Sequence, residues 1–165
     1  MTDSPLPRYL REVAAHRPRT RARMLAVQAL CVLDALGDDF LRQLHEFLGD
    51  TTVLHELGLG PRLDDELFRF VRTLVHGVRD VRTRADELLA KASTDWRIER
   101  MSLVDRNVLR LGVYELMEQP GTPVAVVMSE AVEAVQCLGD VDSAAFVNGV
   151  LDAVRRELGI DATRG

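Results

Sequence analysis

A chain of 165 residues is long enough for one hydrophobic core and too short for two ordinary domains, which take roughly 100 to 200 residues each. Apolar residues make up 47% and charged residues 28%, a globular balance that excludes a disordered chain. The net charge of −5 excludes a protein that coats nucleic acid by charge alone. No apolar run approaches the roughly 18 residues that span a bilayer, so a cytoplasmic protein without membrane contact is expected.

Residues 1–18 carry three prolines and no helical apolar period, which predicts a flexible basic arm ahead of a folded unit over 19–159 and a tail over 160–165. Six arginines against Asp3 and Glu12 make residues 1–23 locally +4, which leaves −9 on the rest. From Thr20, Leu25, Ala29, Val32, Leu33 and Leu36 recur at helical steps until Gly37 stops them. A second helix is expected over about 39–48, followed by a loop over 49–62 with room for one short helical turn. The stripe Leu67, Val71, Leu74, Val75, Val78 and Leu88 predicts a long helix from Asp64 to Ala90, weakened at Gly77 by about 1 kcal/mol. After a turn around Trp96, Ser102 and Asp105 form a variant capping box that opens a helix to Glu118. Pro123 starts the next helix and Gly139 closes it. Asp142 or Ser143 caps the last, which buries Phe146, Val147, Val150, Leu151, Val154 and Leu158 before Gly159. About seven helices and no strand define an all-α single domain.

Chemistry-bearing residues are sparse. His16, His45, His55 and His76 are scattered, and Cys31 and Cys137 stand far apart. No nucleophile triad, metal spacing or phosphate loop emerges, so no enzyme, catalytic residue, cofactor or metal is expected. Arg17, Arg19, Arg21 and Arg23 lie across the end of the arm and the first turn of helix. There they either reach successive phosphates or form a solvated tail. Cations at a helix N-terminus oppose its dipole, so an anionic partner accounts for them better than helix formation does. Phe146 either stacks on an unpaired base or fills the core. Asp142 and Ser143 just before it cap the helix, touch bases, or do both. Gly149 inside a helical period suggests close helix contact. Arg106 and Arg110 either extend the basic face or pair with acids such as Asp105 and Glu115.

The second half carries a string of motifs: Trp96 with Arg100, Asp105-Arg106, Leu109-Arg110, Tyr114-Glu115-Leu116, Pro123, Glu130-Ala131-Val132-Glu133, and Phe146-Val147-Asn148-Gly149-Val150-Leu151-Asp152. With Arg21-Ala22-Arg23 and Ala26-Val27-Gln28-Ala29-Leu30 near the start, their order and spacing resemble the NusB family of transcription antitermination factors over about residues 19–158. The resemblance implies two small helical bundles packed at a steep angle. It also implies antitermination at ribosomal RNA operons, through boxA-like single-stranded RNA bound together with the small-subunit ribosomal protein NusE, and indirectly with other Nus factors and RNA polymerase. On that footing Arg17, Arg19, Arg21, Arg23, Asp142, Ser143 and Phe146 are the expected RNA-binding residues, and Asp105, Arg106 and Glu115 the expected contacts to the protein partner. The chain departs from the family pattern at Cys31, where an aromatic is common, at Ala144-Ala145, and at Val135, Gln136 and Cys137, where basic residues are common. Two readings compete: a helical interaction module or homodimer with weak or no RNA binding, and the RNA-binding module of an rRNA cytosine methyltransferase. The second requires roughly 200 further residues.

Overall fold

The computed structural model describes residues 16–95 and 97–165; the expectations for residues 1–15 and for Trp96 lie outside them. Helix α1 spans Pro18–Leu36. Its proline sits in the first turn, where the missing N–H is no loss, and Gly37, at φ +81°, ends it by donating its amide to Leu33. The single helix expected over 39–48 is divided into a 3-10 turn at Asp38–Arg42 and α2 at Leu44–Leu48. Within the expected loop, α3 at Thr51–Glu56 is capped by Asp50, whose carboxylate accepts from the Thr52 and Val53 amides.

Helix α4, Asp65–Ala92, is 28 residues long, or about 42 Å. Asp64 caps it by accepting from the Leu67 amide at 2.8 Å. Helices α5 (Leu103–Glu118), α6 (Val124–Leu138) and α7 (Ala144–Glu157) complete the fold. The described residues therefore form seven α-helices with 3-10 turns between them and no strand. Helices α5 to α7 pack on one another, while α1 and α4 pack on each other and against that group. The side chains that α1, α4 and α5 turn inward, among them Leu25, Leu30, Leu74, Leu88, Leu109 and Leu116, are fully buried.

The α4–α5 crossing depends on Gly77. A Cβ there would fall 2.2 Å from the Tyr114 ring, so the residue that weakens the isolated helix is what lets the two helices touch. Gly112 does the same for Leu151 across α5 and α7, where a Cβ would meet Leu151 Cδ1 at 2.8 Å. Gly149, expected in that role, is exposed with nothing within 4 Å of its Cβ position. The close approach falls at a different glycine from the one expected, because periodicity gives a residue's face but not what lies opposite.

Candidate RNA interface

At the start of α1 the four arginines separate by helical geometry. Positions 19 and 23, one turn apart, share a face. The Arg19 guanidinium is exposed, pairs with Glu66 at 2.9 Å and lies 4.6 Å over the Phe70 ring. Arg23 lies 5.1 Å from the same ring but is only 6% exposed. Its Nε and Nη2 donate to Glu115 Oε1 at 3.0 and 2.9 Å. Arg21, on another face, is half-buried and donates to the Gly58 carbonyl. Arg17, the N-cap residue, is exposed in extended backbone. Arg17 and Arg19 are thus open to an external anion, whereas Arg23 is committed to the interior.

Arg23 and its acids form a buried cluster. Glu115, expected at a partner surface, is 2% exposed. Burial pushes its carboxyl above the usual range; Arg23 pulls it back only in part, and the nearby Glu130 charge adds to the rise. Glu130 Oε1 lies 3.9 Å from Arg23 Nη1 and accepts the Thr20 hydroxyl at 2.9 Å. One guanidinium therefore serves two carboxylates. Over this cluster opens a cleft of about 550 Å³, lined by Arg17, Arg19 and Thr20, by the acids Asp64, Glu66 and Glu130, and by the turn Gly121–Pro123.

The second expected RNA-binding group lies at the far end of α5. Asp105 and Glu115 are ten residues apart on that helix, about 15 Å. Ser143 donates its hydroxyl to Asp105 Oδ2 at 2.8 Å and joins α7 to α5. It sits at the α7 N-cap without capping the helix through its side chain. Asp142 lies exposed in the 3-10 turn Val141–Ser143, and it is Asp140 whose side chain accepts the Asp142 amide. The helix runs on directly from that turn, so the expected side-chain cap is replaced by continuous backbone bonding. Ser102 accepts the Asp105 amide at 3.1 Å. Because Asp105 Oδ2 is taken by Ser143 and Oδ1 has no hydrogen-bond partner, the return half of the capping box is absent. Asp105 is buried. Phe146 is half-buried and packs against the core with part of its surface in solvent.

Between the two ends, Asp34 of α1 organises a polar network that sequence reasoning missed. Its Oδ2 accepts from Arg106 at 2.8 Å, Arg110 at 2.9 Å and Asn107 at 3.1 Å, and its Oδ1 from Arg82 at 3.1 Å. Arg110 also forks onto Asp86 of α4 at 2.8 and 2.9 Å. Arg106 and Arg110 therefore pair with acids of α1 and α4, not with Asp105 and Glu115 as expected; those two acids turn to other faces of α5. Burial alone would raise the Asp34 carboxyl, but the charge of Arg110 and the donors Arg106 and Asn107 outweigh it and hold it below the usual range. The one local signal is Arg106, Asn107 and Arg110 at helical spacing, a run of donors that does not name its acceptor. Cys31, one turn before Asp34, is half-buried, and burial pushes its thiol up to about 11.

Among the described residues no group of three or more His, Cys, Asp or Glu side chains could hold a metal, and no helix is long and apolar enough to cross a membrane. The model of the NusB family matches residues 20–156. A transcription antitermination protein NusB of Sorangium cellulosum is 41% identical over 141 residues, covering 86% of this chain and 94% of the relative. Its counterpart in Symbiobacterium thermophilum is 40% identical over 139 residues, covering 84% and 89%. Among solved structures, T. maritima NusB superposes with a TM-score of 0.66 at 30% identity, over 86% of this chain and 92% of that one. A chain from a complex of the antitermination factors NusB and NusE with dsRNA reaches 0.70 at 27% identity, over 86% and 98%.

Proposed function

The chain belongs to the NusB family, and from that premise we propose that it is a cytoplasmic transcription antitermination factor binding boxA-type RNA of ribosomal RNA operons together with NusE. The observation that carries this reading is the likeness, over most of both chains, to a protein solved with NusE and RNA. The geometry supports it at the start of α1, where Arg17 and Arg19 are exposed beside an open cleft. Within this reading Arg17 and Arg19, with Arg21 beside them, meet phosphate. Arg23 and Glu115 hold the helices that present them. Phe146 offers its exposed surface to an unpaired base, with Asp142 four residues before it in the chain. Asp105 and Arg106 act on the partner surface indirectly, by fixing α7 and α1 against α5.

Charge explains why a second protein is needed. The chain is acidic overall, with a net charge of −5, so RNA binding by the protein alone is weak and salt-sensitive, and a basic ribosomal protein extends the positive track. Titration of boxA-like RNA with and without NusE at near-physiological salt tests this. Tighter binding with NusE is expected, and by linkage RNA tightens NusE binding by the same factor; equal affinities would refute cooperative recognition. In the Arg17→Ala, Arg19→Ala double variant the log–log salt slope should fall by about 0.7 for each phosphate that the protein no longer neutralises. An unchanged slope in the folded variant removes these arginines from the interface.

A further inference from the structure

The turn between α5 and α6 lines part of the cleft, and it is completed by a residue far along the chain. α5 ends at Glu118 and α6 begins at Val124, with Pro123 giving no side-chain cap. Helix ends leave carbonyls and amides without intrahelical partners. Arg164 answers both ends at once. Its carbonyl accepts the Val124 amide at 2.9 Å, while its Nη1 donates to the Leu116 carbonyl at 2.9 Å and its Nη2 to the Thr122 carbonyl at 3.2 Å.

The segment that delivers Arg164 is itself anchored. Arg155 donates to the Ile160 carbonyl at 2.6 Å, and Asp161 accepts from the Thr163 amide and hydroxyl at 2.8 and 2.7 Å. Gly165 lies so close to Pro123 that a Cβ would come to 3.1 Å of its ring. Residue 164 falls outside the stretch 20–156 that the family model matches.

We propose that Arg164 is a positioning residue for RNA: it holds Gly121–Pro123 in the lining of the cleft that Arg17, Arg19 and Thr20 also line, and so keeps the cleft open to an RNA strand without touching RNA itself. The proposal rests on the RNA-binding reading above. Its physical basis is pre-organisation. Gly121 sits between Pro120 and Thr122 in a turn with no side-chain cap of its own, and a wall already ordered does not have to be ordered when RNA arrives.

The test is to compare the wild type with Arg164→Ala and Arg164→Lys, by hydrogen exchange at the Thr122 and Val124 amides and by titration with boxA-like RNA in the presence of NusE over a range of salt. In the alanine variant, exchange at Val124 should rise and RNA affinity should fall by roughly two- to thirtyfold with an unchanged salt slope. Lysine, able to reach one carbonyl, should fall in between, and it keeps the experiment decisive if the alanine variant folds poorly. Faster exchange with unchanged RNA affinity would overturn the proposal, as would a slope smaller by about 0.7, which would make Arg164 a phosphate ligand. Failure of the wild type itself to bind RNA with NusE would sink the RNA reading and this inference with it.

Discussion

Two buried charge clusters clamp α5 from opposite sides of the charge balance. Around Asp34 one carboxylate faces Arg82, Arg106 and Arg110, and its carboxyl is held low. Around Arg23 one guanidinium faces Glu115 and Glu130, and the Glu115 carboxyl is pushed up. Burial acts in the same direction on both acids, so the ratio of cations to anions decides the sign. The Asp34 cluster also has a spare acid, since Arg110 holds Asp86 as well, whereas Glu115 leans on Arg23 alone among the described ion pairs.

The largest effect expected from that difference is at Arg23. Arg23→Ala leaves Glu115 buried without a cation and should cost about 3–5 kcal/mol of stability in denaturant unfolding. A loss under about 1 kcal/mol, the range of an exposed ion pair, would mean that Glu115 is solvated after all. Changing both residues, Arg23→Met with Glu115→Leu, should recover most of the loss, because the penalty lies in the unpaired charge rather than in the missing bridge. Asp34→Asn should cost less, about 1–3 kcal/mol, since Arg110 keeps Asp86; a loss equal to that of Arg23→Ala would show that the spare acid gives no compensation.

The smallest effect is in the titrations. By carboxyl-carbon NMR, Asp34 should titrate below its ordinary 3.8 and Glu115 above its ordinary 4.5. Their contributions to stability then run in opposite directions. That of Asp34 is present above 3.8 and is lost as pH falls through its lower folded value. That of Glu115 is full below 4.5 and is lost as pH rises through its higher folded value. Midpoints shifted the same way would break the contrast between the clusters.

Helix existence is legible in the sequence because apolar periodicity and punctuation are local: Gly37, Asp64, Ser102, Pro123 and Gly139 mark boundaries close to those observed. Family membership is legible too, since the motifs from Asp105 to Asp152 keep their order and spacing. Arg17, Arg19, Arg21 and Arg23 can be read from the sequence as one group of cations at the start of the first helix. What cannot be read is which arginine turns inward. Arg19 and Arg23 have the same charge and share a helix face, yet one is exposed and the other is 6% exposed. The difference is made by Glu115, 92 residues away. Asp34 gives no local signal for the same reason, because its donors Arg106, Asn107 and Arg110 lie more than seventy residues further on. Gly77 reads locally as a weakness and Gly149 as a close approach; the Tyr114 ring against Gly77 and the open space around Gly149 reverse both. Local sequence therefore determined where helices begin and end and which family the chain belongs to. Only the tertiary structure decided which charges are neutralised inside and which remain for a partner, because pairing depends on what lies across an interface, and no local pattern encodes that.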